Sequence, residues 1–485
     1  MILHKPNREE DFDRPHPTEA TPLLRETGHA DESGPVISWT KAAQLMVKNA
    51  SPLVLSGLLQ HSIGLTTVFQ VGHLGQTELG AVSLSIMTAN VTGYAVYQGM
   101  STALETLCAQ AVGSKNKLHV GLYFQQMVLL LWLLTIPIGI LWYNAGQILG
   151  ALTPHKDTAH LAGVYLRVLF WGCPGYAAFE AGKKYLQAQG IFHAGTYVLL
   201  FVAPLNVLTS WLFVWKLQLG FIGAPMSAAL TNNLLPFFLF LYIAFVDGRQ
   251  CWNGLTSKAF MNWGTMIKLA FPGFVMLEAE YLAFELLTLG ASHLSGTQLA
   301  AQSVLSPLIA LTFQVPVSLA IVASTMIATA VGAGAVPQAR CFAKVAAWGA
   351  FLVGLLNFMF IVVAGVSAAR FLTTDREVIK QVTMVLPIVA IFQHFDSLAT
   401  TFNGFLRGLG KQDVGSLISI GCYYIVALPI SFCTAFWLNW QLIGLWSGIA
   451  VALALHSLVA GIYIFSFPWT NAVEAAKARQ IVADL

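Results

Sequence analysis

Charged side chains are scarce in this 485-residue sequence. Asp, Glu, Lys and Arg make up only 10% of it, against about 25% in soluble domains. Hydrophobic residues account for 56%, and the mean hydropathy is +0.68. A soluble fold of this size would need more charge to keep its surface hydrated. The lack of charge therefore excludes an ordinary soluble domain and indicates that much of the surface faces lipid.

The few charges are also unevenly spaced, which leaves long uncharged stretches. No Asp, Glu, Lys or Arg occurs for 38 residues after Lys117, for 54 after Glu285 and for 60 after Asp413. A helix needs about 20 apolar residues to cross the hydrocarbon core of a bilayer. The two longest stretches can therefore each hold two spans and a short turn.

Patterns for metal binding, nucleic-acid binding and catalysis are missing too. The six cysteines show no CxxC spacing, which favours roles as small apolar residues over a metal centre or a disulfide framework. The net charge is only +3 and the basic residues are scattered, so nothing suggests a nucleic-acid partner. A membrane-embedded enzyme would need clustered ligands such as HExxH, and none occurs. We therefore expect a protein that is not an enzyme and has no metal site or cofactor.

What the sequence does contain is a series of twelve apolar segments between polar ends. They lie at roughly 41–69, 78–109, 119–145, 157–184, 190–215, 219–246, 264–292, 297–332, 337–366, 376–405, 414–438 and 441–467. We predict an all-α membrane protein with twelve transmembrane helices. Its parts are a disordered cytosolic tail at 1–36, a six-helix lobe at 37–246, a cytosolic linker at 247–263, a second six-helix lobe at 264–467 and a short cytosolic helix at 468–485.

Basic residues are unequally divided between the loops. With the N-terminus in the cytosol, the inner loops carry eleven Lys and Arg residues and the outer loops five. Cytosolic loops of membrane proteins carry the excess of positive charge. Both termini are therefore expected in the cytosol.

An internal repeat relates the two halves. Residues 73–84 match 293–304 at six of twelve positions, an offset of 220, and the tripeptide AVG at 111–113 recurs at 330–332, an offset of 219. Each repeat holds six spans, so both halves enter the membrane from the same side. This predicts a pseudo-twofold axis along the membrane normal with a cavity between two lobes. A channel would more often be a ring of equivalent subunits, so the repeat favours a carrier.

Four segments resemble the multidrug and toxic compound extrusion (MATE) transporters of eukaryotes, of the fungal and plant type. They are 99–113 (GMSTALETLCAQAVG) in the second span, 185–190 (YLQAQG) in the fourth, 280–285 (EYLAFE) in the seventh and 405–412 (FLRGLGKQ) in the tenth. The resemblance covers about residues 40–465. It implies the two pseudo-symmetric six-helix lobes of the MATE fold, alternating access, and export of small organic cations in exchange for protons rather than Na⁺.

The sequence departs from the family at the eighth span, where Pro307 stands in place of a frequent Glu. Part of the usual acidic network is therefore missing. A lipid flippase of the same superfamily is the nearest alternative, and it would need a basic cavity for a pyrophosphate head group. Only Arg167 lies clearly inside a span among the basic residues, which argues against a flippase.

Acidic residues inside the spans are the main functional candidates, because a charge at the bilayer centre costs about 2.5–3.5 kcal/mol on insertion scales. Glu278, Glu280 and Glu285 lie in the seventh span, and Asp396 lies in the tenth. Glu278 and Glu285 share a helix face, whereas Glu280 lies about 200° from Glu278. The resemblance carries Glu280, Glu285 and Asp396 over to the family's functional acids, and Glu278 is an additional one.

These acids predict a simple exchange of protons for cations. A protonated carboxyl is neutral and releases a cationic substrate, whereas a deprotonated carboxylate holds one. Competition between proton and cation for one site then gives exchange between the two sides.

For several other residues the sequence allows two interpretations, a functional role and a structural one. Glu105 and Gln98 are candidate contributors from the N-terminal lobe, and a structural partner near the cytosolic end is the favoured alternative for Glu105. The rings of Tyr281, Phe284, Phe392 and Phe395 could contact flat cations or pack in the core.

The remaining polar residues inside the spans favour structural roles. Glu180 is predicted to pair with Lys183 or Lys184 one helical turn away. Arg167 is expected to extend to the membrane surface or to pair structurally. His61 and His394 are interpreted as core residues more than as proton relays.

The polar tail carries a candidate sorting signal. Glu19, Leu23 and Leu24 lie in EATPLL at 19–24, the acidic-dileucine form read by sorting adaptors. An untargeted flexible tail is the alternative. We expect a monomer in a vacuolar or lysosome-like membrane, with the plasma membrane as the alternative location. Its expected partners are organic cations, protons, the lipid bilayer and a sorting adaptor.

Overall fold

The computed structural model describes residues 37–152 and 156–484, and the regular structure in these ranges is helical throughout. The twelve long helices are α1 Trp39–Gly72, α2 Gln76–Gly113, α3 Lys117–Tyr143, α4 156–188, α5 Ala194–Lys216, α6 Gly220–Phe245, α7 Gly264–Leu294, α8 Gly296–Gly332, α9 Val336–Leu372, α10 Arg376–Leu409, α11 Gln412–Trp437 and α12 Gln441–Ser466. A short helix, Ala145–Leu152, precedes α4, and α13, Trp469–Asp484, follows α12.

All twelve predicted spans are confirmed as helices, with ends that differ by six residues at most. In the described part of the chain, ten of the helices are long and apolar enough to cross a membrane by length and composition alone. The other two are α4 and α7, which carry polar and charged residues in their interiors. Because polar residues inside a membrane span are costly, α4 and α7 are the helices most expected to carry functional residues.

Buried side chains form three clusters, which define the two lobes. One cluster fills the N lobe, α1–α6, and extends to the start of α7 and to Ala328 of α8. A second fills the part of the C lobe, α7–α12, that is farther from the chain ends. The third cluster joins the start of α1 to α8, α9, α10, α12 and α13. The lobes therefore share buried surface at the end of the bundle where α1 begins and α12 ends, which we call the terminal side.

The closure on the terminal side has twofold character. A Cβ atom at Gly113 of α2 would collide with the carbonyl oxygen of Thr329, and a Cβ atom at Gly332 of α8 would collide with that of Gln110. Gly113 and Gly332 are related by the repeat offset of 219, and so are Gln110 and Thr329. The two halves thus meet through the same contact made twice, with glycine required for the close approach of the helices.

The linker between the lobes is fastened to the N lobe. The Gln125 side chain on α3 donates to the Gly254 carbonyl (2.9 Å) and accepts from the Thr256 amide (3.1 Å), and Gln126 donates to the Met261 carbonyl (2.8 Å). The linker follows the surface of α3 until just before α7 begins at Gly264.

Helix α13 confirms the predicted helix at the C-terminal end and also lies across the terminal side. Trp469 at its start is buried in the cluster shared with the C lobe. Near its end, Arg479 donates to the Gln110 side chain of the N lobe over 3.0 Å. The helix therefore contacts both lobes where they meet.

Candidate functional site

The acids of α7 lie on two faces of the helix, as their spacing predicts. Glu280 is buried, with 8% of its surface exposed, and points into the C lobe, whereas Glu278 and Glu285 are half-buried. The helix runs unbroken through Pro272 below them. One acid is thus available to the interior of the lobe, and two are available to the space beside it.

Asp396 of α10 is the second buried acid of the C lobe. Its exposed fraction is 1%, and its Oδ2 atom accepts no hydrogen bond from the residues that the structure describes. Asp396 and Glu280 are close enough to interact electrostatically, and Tyr423 of α11 interacts with both. Tyr423 lies in a π-helical turn, Gly421–Ala427, a local distortion that often marks functional positions.

Among the described residues neither acid forms an ion pair, although Arg407 acts electrostatically on Glu280. A buried carboxylate without a counter-charge is unfavourable, and two facing each other are more so. A bound proton or an external cation would remove that repulsion. The arrangement is therefore chemically suited to hold either one, but not both at once.

The aromatic candidates of the C lobe pack mostly against one another. The rings of Phe284, Phe392 and Trp446 lie within 5.3–6.0 Å of each other, and Trp446 donates to Gln302 over 3.0 Å. Phe392 is only 1% exposed, so in this conformation its ring packs against protein. Phe284 is half-buried, and the half-buried Phe395 packs against the ring of His394.

A neutral counterpart of the acid pair lies in the N lobe. At the offset of 220, Glu280 corresponds to Gln60 of α1, and Asp396 corresponds to Tyr176 of α4. Gln60 donates to the Tyr176 hydroxyl over 3.1 Å, so the two positions equivalent to the acids are in contact in the N lobe. One lobe therefore carries an acidic pair where the other carries an amide and a phenol. Gln60 and Tyr176 were not among the candidates predicted from the sequence, although the repeat offset aligns them with the acids.

Gln98 connects this neutral pair to the C lobe. Its side chain donates to the Tyr176 hydroxyl (2.7 Å) and accepts from Tyr281 of α7 (3.4 Å). Tyr281 also interacts electrostatically with Glu280. The candidates Gln98 and Tyr281 thus lie together between the neutral and the acidic pair, on facing walls of the two lobes.

Lys183 and Arg167 of α4 contact protein groups. Lys183 contacts Glu180 at 2.8 Å, which confirms the predicted pair one turn apart, and its ammonium group also donates to Gln60 (3.2 Å). Arg167 donates to the Tyr143 carbonyl over 2.8 Å and lies over the Tyr143 ring, which fits the structural role expected for it. Both cations are therefore engaged by protein groups.

Glu105 of α2 is the centre of an ion triad on the terminal side. One of its oxygens lies 2.6 Å from Lys184 of α4, and the other lies 2.9 Å from Nε of Arg407 on α10. Glu105 is 2% exposed. Its charge is therefore matched by cations from both lobes, which favours the structural reading of this residue over contact with substrate. Spacing along the sequence could not reveal a partner 302 positions away.

A separate groove of about 660 Å³ lies between α1 and α5. Its lining is Ser62, Leu65, Thr66, Phe69, Gln70, His73, Val207, Trp211 and Trp215. None of these residues is acidic, and the groove is lined by residues of the N lobe only. It does not coincide with the acid pair.

Pro307, which stands where the family often has Glu, does not interrupt α8, and the helix is continuous from Gly296 to Gly332. Among the described residues, no group of three or more His, Cys, Asp or Glu side chains could hold a metal ion. The candidate sorting residues Glu19, Leu23 and Leu24 lie outside the described residues.

Comparison with known proteins identifies a family model, relatives and solved structures that are similar to this chain. The MatE family model matches residues 52–212 and 272–433, once in each lobe. An uncharacterized transporter of Saccharomyces cerevisiae is 38% identical over 92% of this chain, which spans 65% of that protein. Human multidrug and toxin extrusion protein 1 is 32% identical over 89% of the chain and 76% of its own length. The crystal structure of the eukaryotic MATE transporter AtDTX14 superposes with a TM-score of 0.85 at 26% identity, over 91% of this chain and 99% of that one.

Proposed function

The chain belongs to the MatE family of multi-pass membrane transporters, and from that membership we propose that it is a proton-coupled antiporter exporting small organic cations. The observation that carries this proposal is the buried pair Glu280 and Asp396, which has no matching pair of acids at the equivalent positions of the N lobe. Its known relatives are named as transporters, which agrees with the expectation that this chain is not an enzyme.

The exchange follows from competition at the acid pair. On the side where protons are abundant, a proton occupies the pair, and the cation leaves. On the other side the proton dissociates, and the pair attracts a cation because its own charges repel. Since either occupant relieves that repulsion, the loaded states are the ones suited to cross between the two sides.

The substrate path lies between the lobes. The half-buried Glu278 and Glu285 and the ring of Tyr281 line α7 beside the buried pair. Carboxylates attract a cation, and an aromatic face accepts its flat, charged surface. The neutral pair in the N lobe supplies hydrogen bonds and no net charge. This combination suits a monovalent organic cation better than an anionic lipid head group, because Lys183 and Lys184 of α4 are already paired with Glu180 and Glu105.

The closed terminal side defines the conformational state. Buried contacts join the lobes there, while the lobes have separate cores in the opposite half. We infer that the terminal side faces the cytosol, as the distribution of basic residues indicates. The structure then corresponds to a carrier open to the outside or to the lumen of an acidic organelle. A vacuolar or lysosome-like membrane, reached through a sorting adaptor, and a monomeric carrier remain part of the proposal.

The test is transport by purified protein in liposomes with an imposed pH gradient. A fluorescent organic cation should accumulate on the acidic side, and a protonophore should abolish that accumulation. A Na⁺ gradient at constant pH should have no such effect. Asp396→Asn should remove proton-driven accumulation without loss of folded protein, because an amide cannot exchange a proton in this range. Normal accumulation by Asp396→Asn would refute the assignment of the site.

A further inference from the structure

Helix α13 is fixed to the C lobe by one apolar face. Trp469, Ala472, Val473 and Ala476 are buried, and their spacing of three and four residues puts them on the same side of the helix. The helix packs mainly on α8 and α9. The indole of Trp469 also donates to the Ile464 carbonyl of α12 over 3.0 Å. These contacts attach α13 to the C lobe, so we expect the two to move together.

The last turns of α13 reach across to the N lobe. The Arg479 guanidinium donates to the side-chain oxygen of Gln110 over 3.0 Å, and the Gln480 side chain donates to the Gln110 carbonyl over 3.4 Å. Gln110 lies on α2, and its own side chain donates to the Gly408 carbonyl of α10 over 3.4 Å. One residue of the N lobe is thus held by two helices of the C lobe. A movement that carries α2 away from α10 and α13 must break these hydrogen bonds.

The C lobe also supplies the surface on which Arg479 lies. Gly410 follows α10 with a φ of +70°, and a Cβ atom there would lie 2.8 Å from Nη2 and 3.0 Å from Nη1 of Arg479. The guanidinium therefore lies directly against the Gly410 backbone, in space that the side chain of another residue would fill. Because α13 and Gly410 both belong to the C lobe, the two elements that place Arg479 stay together when the lobes separate.

The contact with Gln110 is one that can be broken and remade. Gln110 is neutral, and in the described part of the chain no carboxylate forms an ion pair with Arg479. Separation therefore leaves no unpaired charge on Gln110, whereas breaking a buried ion pair would. Arg479 and Gln480 are half-buried at the end of the bundle, so water can replace the lost hydrogen bonds. Such a contact biases an equilibrium between two states without fixing it in one of them.

We propose that α13 is a latch on the terminal side, carried by the C lobe and holding Gln110 of the N lobe through Arg479 and Gln480 in the closed state only. The latch favours the state that is open on the opposite side, and it limits how often the terminal side opens. Its effect on transport rests on the alternating access proposed above, whereas its effect on closure does not.

Accessibility of the terminal side measures the latch directly. The reporter is Ala328→Cys, a fully buried position on α8, in a background with Cys433→Ala, and a membrane-impermeant thiol reagent is added from the terminal side. The double variant Arg479→Ala/Gln480→Ala should be labelled about tenfold faster, because it loses a hydrogen bond from a charged donor. The matched control is Lys477→Ala, which removes an exposed cation of the same helix and should be labelled like the unchanged protein.

Cross-linking tests whether the latch must open in each transport cycle. A protein carrying Gln110→Cys and Arg479→Cys is joined by a short, reducible bifunctional thiol reagent. Export of a fluorescent cation in liposomes should stop, and it should return when a reductant cleaves the link. Each single-cysteine variant should export equally before and after the same treatment.

Two results would overturn the proposal: labelling of the double variant within twofold of Lys477→Ala, or export by the cross-linked protein as fast as after reduction. If the double variant is less stable, the cross-linking arm decides, because it compares one protein before and after reduction. Absence of proton-driven accumulation by the unchanged protein would instead refute the antiport, and the labelling rates would still test the latch.

Discussion

Replacing Gly332 by alanine should open the terminal side of the carrier without unfolding either lobe. A Cβ atom at this position would lie 2.7 Å from the Cα atom of Gln110 and 2.8 Å from its carbonyl carbon. An ordinary contact of a Cβ atom begins at 3.4 Å. Since the neighbour is backbone and not a flexible side chain, α2 and α8 must separate by at least about 0.7 Å, the difference between these distances.

The free-energy cost of this displacement applies only to the closed conformation. Overpacking of a tight contact costs about 1–3 kcal/mol. The contact is made between the lobes, so this free energy penalises the closed state and leaves the interior of each lobe unchanged. An equilibrium between closed and open states would therefore shift by about 5- to 150-fold toward opening on the terminal side.

The assay is labelling of a reporter cysteine by a membrane-impermeant thiol reagent. Ala328→Cys is suitable, because Ala328 is fully buried on α8 within the cluster that fills the N lobe. The background should carry Cys433→Ala, since Cys433 is the one native cysteine that is not buried. Labelling from the terminal side should accelerate in Gly332→Ala and proton-driven export should fall.

The matched control is Gly64→Ala, because a Cβ at Gly64 of α1 meets no atom within 4 Å. This variant should label and transport like the unchanged protein. Equal labelling rates for Gly332→Ala and Gly64→Ala would refute the argument that the glycine contact holds the terminal side closed.

Three further predictions follow from the site, the tail and the linker. Glu280→Gln should reduce proton-driven transport more than Glu278→Gln, because Glu280 is buried and interacts electrostatically with Asp396; the reverse ranking of initial rates would show that the half-buried acid is the functional one. Changing both Leu23 and Leu24 to Ala should redistribute a tagged protein away from the vacuolar or lysosome-like membrane while leaving transport in liposomes unaltered; an unchanged distribution by imaging would contradict the sorting signal. Burial raises the pKa of the Cys251 thiol in the linker to about 11, so its alkylation should be slow at neutral pH and should rise as the pH approaches that value; rapid alkylation at pH 7 would contradict the packing of the linker.

The sequence was sufficient to predict the helices, because the length of a span and its lack of charge are local properties. Even α4 and α7 were predicted correctly, since their charges are separated by apolar stretches. The pair Glu180–Lys183 was also predictable, because it needs only the spacing of one helical turn.

Contacts between distant helices could not be predicted from the spacing of residues along the sequence. Glu105 is an acid inside a predicted span, as a proton site would be. Only the fold shows that Lys184 and Arg407 neutralise it. Phe392 could not be assigned to the lobe interior from periodicity, because a helix in the middle of a membrane protein is apolar on most of its faces. The neutral pair Gln60 and Tyr176 was predictable from the sequence, since the offset that defines the repeat also aligns these residues with the acids.

The attachment of the linker limits how the lobes can move. Gln126 holds the Met261 carbonyl, and α7 begins at Gly264, so only two residues connect a point fixed on the N lobe to the first helix of the C lobe. Two extended residues reach about 7 Å. Sliding of the start of α7 along the membrane normal by more than this reach would break the attachment to Gln126. Rotation about the short connection would keep it, and we therefore expect the lobes to exchange access by rocking.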